Sequence, residues 1–298
     1  MKATLYTVTA LIAFAANSLF CRMALAEGHI DAWSFTILRL LSAAVCLGII
    51  MTIHAYRLRQ HVREPDSIAH AAILNDKGSW LSSVSLVIYA LCFSIAYVEL
   101  DTGTGALILF SAVQLTMIGW GIYKKEQLSG LQWLAFIVAV AGFVYLMLPS
   151  AAVPSLLAAV LMAISGAAWG IYSIRGKSCV SPLRATGFNF IRSLIAAPIL
   201  LVIGMENINL GDITIKGVLL AFASGAIASG IGYSIWYMAM PLLKNTQAAV
   251  VQLCVPILAA ILGVVFLSEQ LTVPFVIASS VILGAVLVFI LNREKAPT

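Results

Sequence analysis

Ten long apolar stretches constrain this chain more than any other feature of its sequence. A helix needs about 20 apolar residues to cross about 30 Å of hydrocarbon. Lipid offers no hydrogen-bond partner to a peptide group, so such stretches must form helices. We therefore predict an all-α integral membrane protein with ten transmembrane helices, at Ala3–Leu25, Ala32–Ala55, Trp80–Val98, Ala106–Tyr123, Leu131–Leu148, Ser155–Ile174, Leu183–Ile203, Lys216–Met238, Thr246–Leu267 and Val273–Leu291.

The composition agrees with a polytopic membrane protein. Of the 298 residues, 62% are hydrophobic and only 10% are charged, with a mean hydropathy of +1.03. Soluble domains contain about 45–50% apolar and about 25% charged residues. The chain has too little polar surface to cover a water-soluble core.

The second predicted helix contains a sequence that occurs twice. The ten residues from Phe35 to Ala44 return as Phe188 to Ala197, 153 positions later, with five identities. A shorter echo, Glu126-Gln127-Leu128, returns as Glu269-Gln270-Leu271. These echoes predict a tandem duplication, with one repeat at residues 1–150 and the other at 151–298.

Five helices per repeat is an odd number, so the second repeat must run through the membrane in the opposite sense. We therefore predict two inverted five-helix repeats, an architecture that recurs among transporters. The first helix superficially resembles a signal peptide. Its apolar run, Ala3 to Phe20, exceeds the usual signal core of about 7–15 residues, and the duplication pairs it with Ser155–Ile174. We expect it to be retained.

Basic residues lie on alternate connections between the apolar stretches. If the N-terminus is cytoplasmic, thirteen Lys and Arg residues fall on the cytoplasmic side, against Arg22 and Lys216 outside. This asymmetry predicts a multi-pass protein of the inner (plasma) membrane with both termini cytoplasmic. The net charge of +5 has the same origin, and no basic patch suggests nucleic acid.

No motif for catalysis, a metal or a cofactor is present in the sequence. The five cysteines are dispersed without CxxC or CxxH spacing, as expected of small packing residues. There is no HExxH motif and no Gly-rich phosphate loop. We expect neither an enzyme nor a bound cofactor.

Two arginines, Arg39 and Arg192, lie inside predicted spans at matching positions of the repeats. An intramembrane arginine costs about 2.5–3.5 kcal/mol on insertion scales, so each needs a reason. Each could bind an anion or carboxylate in a central pathway. Because both lie nearer an interface than the midplane, we expect instead that they snorkel or cap backbone carbonyls.

The centres of the spans contain no Asp, Glu or His, which argues against an obligate proton carrier of the usual kind. Amides and aromatic residues lie in or near the spans, and they are a set typical of a cavity for an apolar or aromatic solute that is uncharged or zwitterionic. The alternative is an aromatic belt at the membrane interface. The amides are Asn17, Gln114, Asn189, Gln247 and Gln252, and the aromatic residues include Tyr89, Tyr97, Phe110, Trp169, Tyr172, Tyr233, Trp236 and Tyr237. The candidate substrate-binding residues are Tyr89, Phe110, Gln114, Trp169, Tyr172, Trp236 and Gln252, a choice that also uses the family resemblance described below.

Small residues and prolines mark special points along the helices. The motif Gly166-x-x-x-Gly170 and its small-residue equivalent Gly225-x-x-x-Ser229 predict close helix contacts. Pro198 and Pro256 interrupt apolar helices and free backbone carbonyls.

The ten spans, the repeated Phe-x-x-Leu/Ile-Arg-x-Leu-x-Ala-Ala element and the run from Pro256 to Gly263 that leads to Glu269 resemble the drug/metabolite transporter superfamily. Within it, the chain resembles the EamA-type exporters, which include the YddG-type amino-acid exporters. The resemblance implies alternating access around a cavity lined by the third, fourth, eighth and ninth helices, with the sixth nearby. The fourth helix departs from the pattern because it has no proline that matches Pro256.

We therefore expect a monomeric exporter of small-molecule metabolites across the lipid bilayer, with neutral and aromatic amino acids as the first candidates. A nucleotide-sugar or other anionic-metabolite or drug transporter of the same fold is the alternative, and it requires an arginine to face the cavity. A second alternative is a membrane scaffold without transport activity, or a membrane enzyme.

Overall fold

The computed structural model describes residues 2–61, 72–123, 128–147, 155–176, 179–208, 211–243, 251–252 and 254–292. Six helices in these ranges are long and apolar enough to cross a membrane, and four more are apolar but shorter. The predicted all-α membrane fold is confirmed. The helices are α1 Lys2–Ala26, α2 Ala32–His61, α3 Trp80–Ala96, α4 Thr102–Tyr123, α5 Gly130–Met147, α6 Leu156–Gly176, α7 Pro182–Ile203, α8 Ile215–Ala239, α9 Cys254–Leu267 and α10 Val273–Asn292.

Several sequence predictions fall on the gaps between these ranges. The proposed repeat boundary at 150/151, the start of the ninth span at Thr246 and the pair Glu126-Gln127 lie outside the described residues. So does most of the long connection after α2, of which residues 72–75 are helical.

The helix contacts come in reciprocal pairs. Helix α6 packs against α3 and α4, and its counterpart α1 packs against α8 and α9. Likewise α3 contacts α7 while α8 contacts α2, and the counterparts α2 and α7, and α5 and α10, contact each other. The counterpart of each helix is the one five places along the chain, so that α1 corresponds to α6 and α5 to α10. If every helix in these contacts is replaced by its counterpart, the same set of contacts results, as two inverted five-helix repeats require.

The bundle has two ends, which we name by the position of the N-terminus. The N-terminal face contains the start of α1, the start of α5 and the end of α10, where the Asn292 amide donates to Ser129 Oγ at 3.0 Å. The far face contains the connections α1–α2, α3–α4, α7–α8 and α9–α10. There the Thr214 N–H donates to the His29 carbonyl at 2.9 Å.

Glycines set the closest contacts between helices, as the small-residue motifs predicted. A Cβ at Gly166 would overlap the carbonyl oxygen of Leu109 on α4, and one at Gly225 would overlap the carbonyl oxygen of Arg39 on α2. Backbone atoms cannot move aside as a flexible side chain can, so both glycines are required where they stand.

Two helices in the second repeat are irregular. In α7, a 3₁₀ turn at Leu194–Ala196 precedes Pro198, which lacks the N–H that would bond one turn back. In α8, residues Ala223–Ile231 are π-helical. Wide π turns are rare and are often found at functional sites, and this one carries two serines of the site described below.

The close contact at Gly166 generates a stability prediction. We expect Gly166→Ala to destabilise the protein by about 1–3 kcal/mol, the usual cost of overpacking. The matched control is Gly119→Ala on α4, where an added Cβ meets nothing within 4 Å. Thermal unfolding in detergent measures both variants. Equal midpoints for the two variants would contradict a tight α4–α6 contact at Gly166.

Candidate functional site

Aromatic side chains from both repeats meet at the centre of the bundle. Phe14 on α1 makes edge contacts with Trp169, Tyr233 and Trp236, with ring centroids 5.7–5.8 Å apart. The Trp169 ring lies 4.4 Å from Tyr233 and 5.1 Å from Tyr89. We call this set the aromatic cluster: Phe14, Tyr89, Phe110, Trp169, Tyr172, Tyr233 and Trp236.

Five of the seven predicted substrate-binding residues belong to this cluster: Tyr89, Phe110, Trp169, Tyr172 and Trp236. The other two, Gln114 and Gln252, are buried, and Gln114 lies one helical turn beyond Phe110 on α4.

The alternative interpretation, an aromatic belt, fails for the tryptophans of the cluster. Trp169 and Trp236 are 2% and 0% exposed, which places them in the core of the bundle. Trp120 and Trp133, by contrast, are 46% and 43% exposed and lie near helix ends, as belt residues do.

Arg39 lies beside this cluster, and the described residues that bind it are neutral. Its Nε donates to Ser229 Oγ at 3.2 Å, and its Nη2 donates to the hydroxyls of Tyr89 and Tyr233 at 3.0 Å each. The guanidinium also lies over the rings of Tyr89 and Phe93, at 5.0 and 4.8 Å from their centroids. These contacts connect α2 to α3 and to α8 of the other repeat.

Asn17 on α1 extends this network. Its amide nitrogen donates to Tyr89 Oη at 3.1 Å, and its amide oxygen accepts from Ser224 Oγ at 2.6 Å and Ser229 Oγ at 3.4 Å. The hydroxyls of Tyr89 and Tyr233 are 2.9 Å apart. All of these atoms are buried, where hydrogen bonds are strong and unmet ones costly.

The sequence-based expectation for the two arginines is right for one and wrong for the other. Arg192 donates to the Lys77 carbonyl at the N-terminal face and lies 5.3 Å from the Trp80 ring, as a capping arginine would. Arg39 is 1% exposed and neither snorkels nor caps a helix. The short distance between Arg39 and the end of its helix predicted a position at the membrane interface. That prediction was wrong because α1, α3 and α8 surround Arg39 on the inside of the bundle.

Sequence reasoning missed Phe14, Ser224 and Ser229 as members of the site. Ser229, Tyr233 and Trp236 are spaced four and three residues apart, which puts them on one helical face. That spacing could have found Ser229. The π-helical turn that holds Ser224 and Ser229 together against Asn17 has no sequence signature of its own.

The described residues contain no group of three or more His, Cys, Asp or Glu side chains that would hold a metal ion. The chemistry of the site therefore consists of aromatic faces, hydroxyls, amides and one guanidinium. Such a site can bind and orient a small organic molecule.

At the far face, charged side chains join the end of α1 to the connections α3–α4 and α9–α10. The Thr102 N–H donates to both carboxylate oxygens of Glu269 at 2.9 and 2.8 Å, and the Thr102 hydroxyl donates to the same carboxylate. Arg22 pairs with Glu269 and Asp101 at 3.4 Å each and donates to the Tyr97 and Val98 carbonyls. We call Arg22, Asp101, Thr102 and Glu269 the far-face latch.

The backbone after α9 turns sharply to bring Glu269 into the latch. Ser268 adopts a left-handed conformation with φ 54°, which reverses the chain. A Cβ at Gly263 would overlap the Glu269 carboxylate, so the carboxylate fits only above a glycine. Glu269 caps α4 from the other repeat, which explains why α4 begins at Thr102 and not at the predicted Ala106.

Comparison with known proteins agrees with this architecture. The model of the EamA-like transporter family matches residues 156–291. The uncharacterized protein PA1977 of Pseudomonas aeruginosa is 41% identical over 98% of this chain and 96% of its own length. The chain belongs to the EamA-like transporter family.

More distant relatives and a solved structure are consistent with this membership. An uncharacterized transporter of Archaeoglobus fulgidus is 23% identical over 69% of this chain and 74% of its own. The uncharacterized transporter YwfM of Bacillus subtilis is 26% identical over 65% and 66%. A protein of known crystal structure matches 99% of both chains at a TM-score of 0.61 and 17% identity, which supports the fold alone.

This EamA-family protein is thus a membrane transporter of the drug/metabolite transporter superfamily, and the family does not consist of enzymes. Its aromatic cluster continues towards the N-terminal face. The Tyr172 ring stacks on Trp169 at 5.4 Å and on Tyr237 at 5.5 Å. Tyr237 in turn lines a polar pocket of about 150 Å³ at that face, together with Asp76, Ser79, Arg175 and Asn189.

The far-face latch generates a pH prediction for this transporter. Burial raises the pKa of the Glu269 carboxyl above its ordinary value, against the opposing hydrogen bonds from Thr102. Burial likewise raises the pKa of Asp101, against the opposing charge of Arg22. A carboxyl with a raised pKa in the folded state favours folding most at low pH, and this contribution is lost as pH rises through the raised pKa.

We therefore expect the wild type to lose thermal stability relative to Glu269→Gln as pH rises from about 4 to about 7. Glutamine is uncharged at every pH and mimics the protonated carboxyl of Glu269. The thermal stabilities of the two proteins should therefore be most similar at low pH. The control is Glu99→Gln, at an exposed position of the same face. A difference between wild type and Glu269→Gln that stays constant with pH would argue against the raised pKa.

Proposed function

We propose that this chain exports small neutral amino acids, aromatic ones foremost, by alternating access of a central site to the two sides of the membrane. The observation that carries the proposal is the aromatic cluster. It is buried between the two repeats, where a transported molecule must pass, and it is formed by helices of both. Aromatic rings arranged edge-to-face and offset favour an apolar or aromatic body.

The two faces of the bundle support a particular direction of access. The far face is held by the latch, in which charged groups of two connections and of the end of α1 meet. Towards the N-terminal face, rings lead from Trp169 through Tyr172 and Tyr237 to a polar pocket. In our proposal, substrate enters from the N-terminal face, and release requires the latch to open.

The proposed export direction rests on the orientation of the chain in the membrane. The excess of Lys and Arg on the N-terminal side supports a cytoplasmic N-terminal face, with both termini inside and the protein in the inner membrane. We propose that it works as a monomer, since each chain contains both repeats and the whole cluster.

The aromatic cluster and its described neighbours contain no Asp, Glu or His. This supports transport by facilitated diffusion or exchange, without a proton carried at the site. Transport of an anionic metabolite is the second candidate function. The buried Arg39, which no described carboxylate neutralises, favours it.

Counterflow in proteoliposomes tests the amino-acid proposal. Labelled threonine, methionine, leucine, phenylalanine and tryptophan are offered with and without a pH gradient. We expect uptake without a gradient, strongest for the aromatic amino acids. We expect Trp169→Ala to reduce uptake at least about ten-fold, which corresponds to about 1.4 kcal/mol, because it removes a ring that contacts four others.

The matched control is Trp120→Ala, which removes the same side chain from an exposed position on α4. It should transport at the wild-type rate. Uptake that occurs only with a pH gradient would refute the uncoupled mechanism and direct attention to Glu99, Asp101 and His54. If the folded protein takes up none of the five amino acids, the substrate assignment is wrong.

A further inference from the structure

The hydrogen bonds around Arg39 leave part of its guanidinium unused. A guanidinium has five N–H donors and stays protonated at any physiological pH. Nε and Nη2 donate to Ser229, Tyr89 and Tyr233. Among the described residues, Nη1 has no hydrogen-bond partner, although it is fully buried. A buried donor without an acceptor is costly and calls for an explanation.

The part of the chain that the structure describes also provides no counter-ion for Arg39. None of the ion pairs among the described residues involves Arg39, and its titratable neighbours are Tyr89, Tyr233 and Cys21. A charge buried in a membrane protein is usually paired or lies in the path of a substrate. Hydroxyls and ring faces solvate this guanidinium only in part.

The surroundings of Arg39 are rich in donors and poor in acceptors. The indole N–H groups of Trp169 and Trp236 are buried and have no acceptor among the described residues. An indole nitrogen can only donate. Trp169 contacts the rings of both Arg39-bound tyrosines, Tyr89 and Tyr233. A ligand with more than one acceptor atom could satisfy Arg39 Nη1 together with an indole N–H of the cluster.

A carboxylate has the matching chemistry, since it carries negative charge and offers two oxygens to a guanidinium. An ammonium group does not match. The cluster offers it no carboxylate, and the faces of Tyr89 and Phe93 are already occupied by Arg39.

We propose that Arg39 binds the carboxylate of the transported molecule through Nη1, and that an ammonium group on that molecule is not required. This inference rests on the proposed transport function and names its substrate class more closely: carboxylates with an apolar or aromatic body, of which amino acids are one kind. The aromatic cluster holds the body, and the guanidinium selects the head group. Deprotonated hydroxy and keto acids with aromatic side chains belong to the same class.

Three probes that share one phenyl body test the head group. L-phenylalanine carries both charges, 3-phenylpropionate carries the carboxylate alone, and phenethylamine carries the ammonium alone. Each is measured for binding to the purified wild type by thermal shift, and for competition with labelled phenylalanine in counterflow. We expect the two carboxylates to bind at least about ten-fold more tightly than the amine, as loss of a charged hydrogen bond predicts.

Variants then assign the effect to Arg39. Arg39→Gln should abolish the preference for the carboxylates, and Arg39→Lys, which keeps the charge, should retain part of it. The matched control is Arg192→Gln, at the duplicated position near the N-terminal face. It should leave the preference unchanged. If Arg39→Gln does not fold, the comparison of the three probes on the wild type still decides the proposal.

The possible outcomes separate this inference from the proposed function. Binding of phenethylamine as tight as that of phenylalanine overturns the carboxylate site, while transport of phenylalanine would leave the proposed function intact. Binding of 3-phenylpropionate without transport of any amino acid supports the site and overturns the amino-acid assignment. Binding of none of the three probes overturns both.

Discussion

The burial of one guanidinium governs the centre of this transporter. Arg39 cannot lose its proton, so its neighbours must solvate it inside an apolar bundle. They do so with hydroxyls from α3 and α8 and with aromatic faces, and Asn17 on α1 fixes those hydroxyls in turn. Four helices from two repeats are thus joined through one charge. Any motion that separates these helices must exchange these contacts for others.

The duplicated partner of Arg39 shows how inverted repeats diverge. Arg192 occupies the same register in its helix, yet it binds a backbone carbonyl at the N-terminal face and lies over Trp80. The principal helix contacts recur in both repeats, but the side chains at those contacts differ. Within the described ranges, the hydrogen bonds of Arg39 therefore have no equivalent at Arg192.

The far-face latch illustrates a second consequence of this architecture. Glu269 belongs to one repeat and caps the first turn of α4 in the other, and Arg22 pairs with both sides. The latch joins elements that must separate if the far face is to open. Gly263 and the left-handed Ser268 are explained by the need to turn this carboxylate back onto α4. The spacing from Gly263 to Glu269 therefore has a structural reason.

Much of the fold could be predicted from the sequence because the membrane leaves few choices. Apolar length required helices, and the repeated Phe–Arg–Ala-Ala element required two inverted halves. Aromatic residues within the predicted spans indicated Tyr89, Trp169 and Trp236, which the structure brings together. The start of α4 was misplaced because its cap comes from Glu269, far away in the chain. Ser224 was missed because a π-helical turn, and not the regular helical period, brings it together with Ser229 at Asn17.

The sequence by itself determined the number of helices, the duplication and the residue types available for a site, because these follow from hydropathy and from identity between segments. Only the tertiary structure decided which arginine is enclosed. Arg39 and Arg192 are equivalent in sequence, and each lies a few turns from the end of its helix. The burial of the two side chains differs because it depends on the neighbouring helices. Helices α1, α3 and α8 enclose Arg39, whereas Arg192 contacts the connection before α3 at the surface of the bundle.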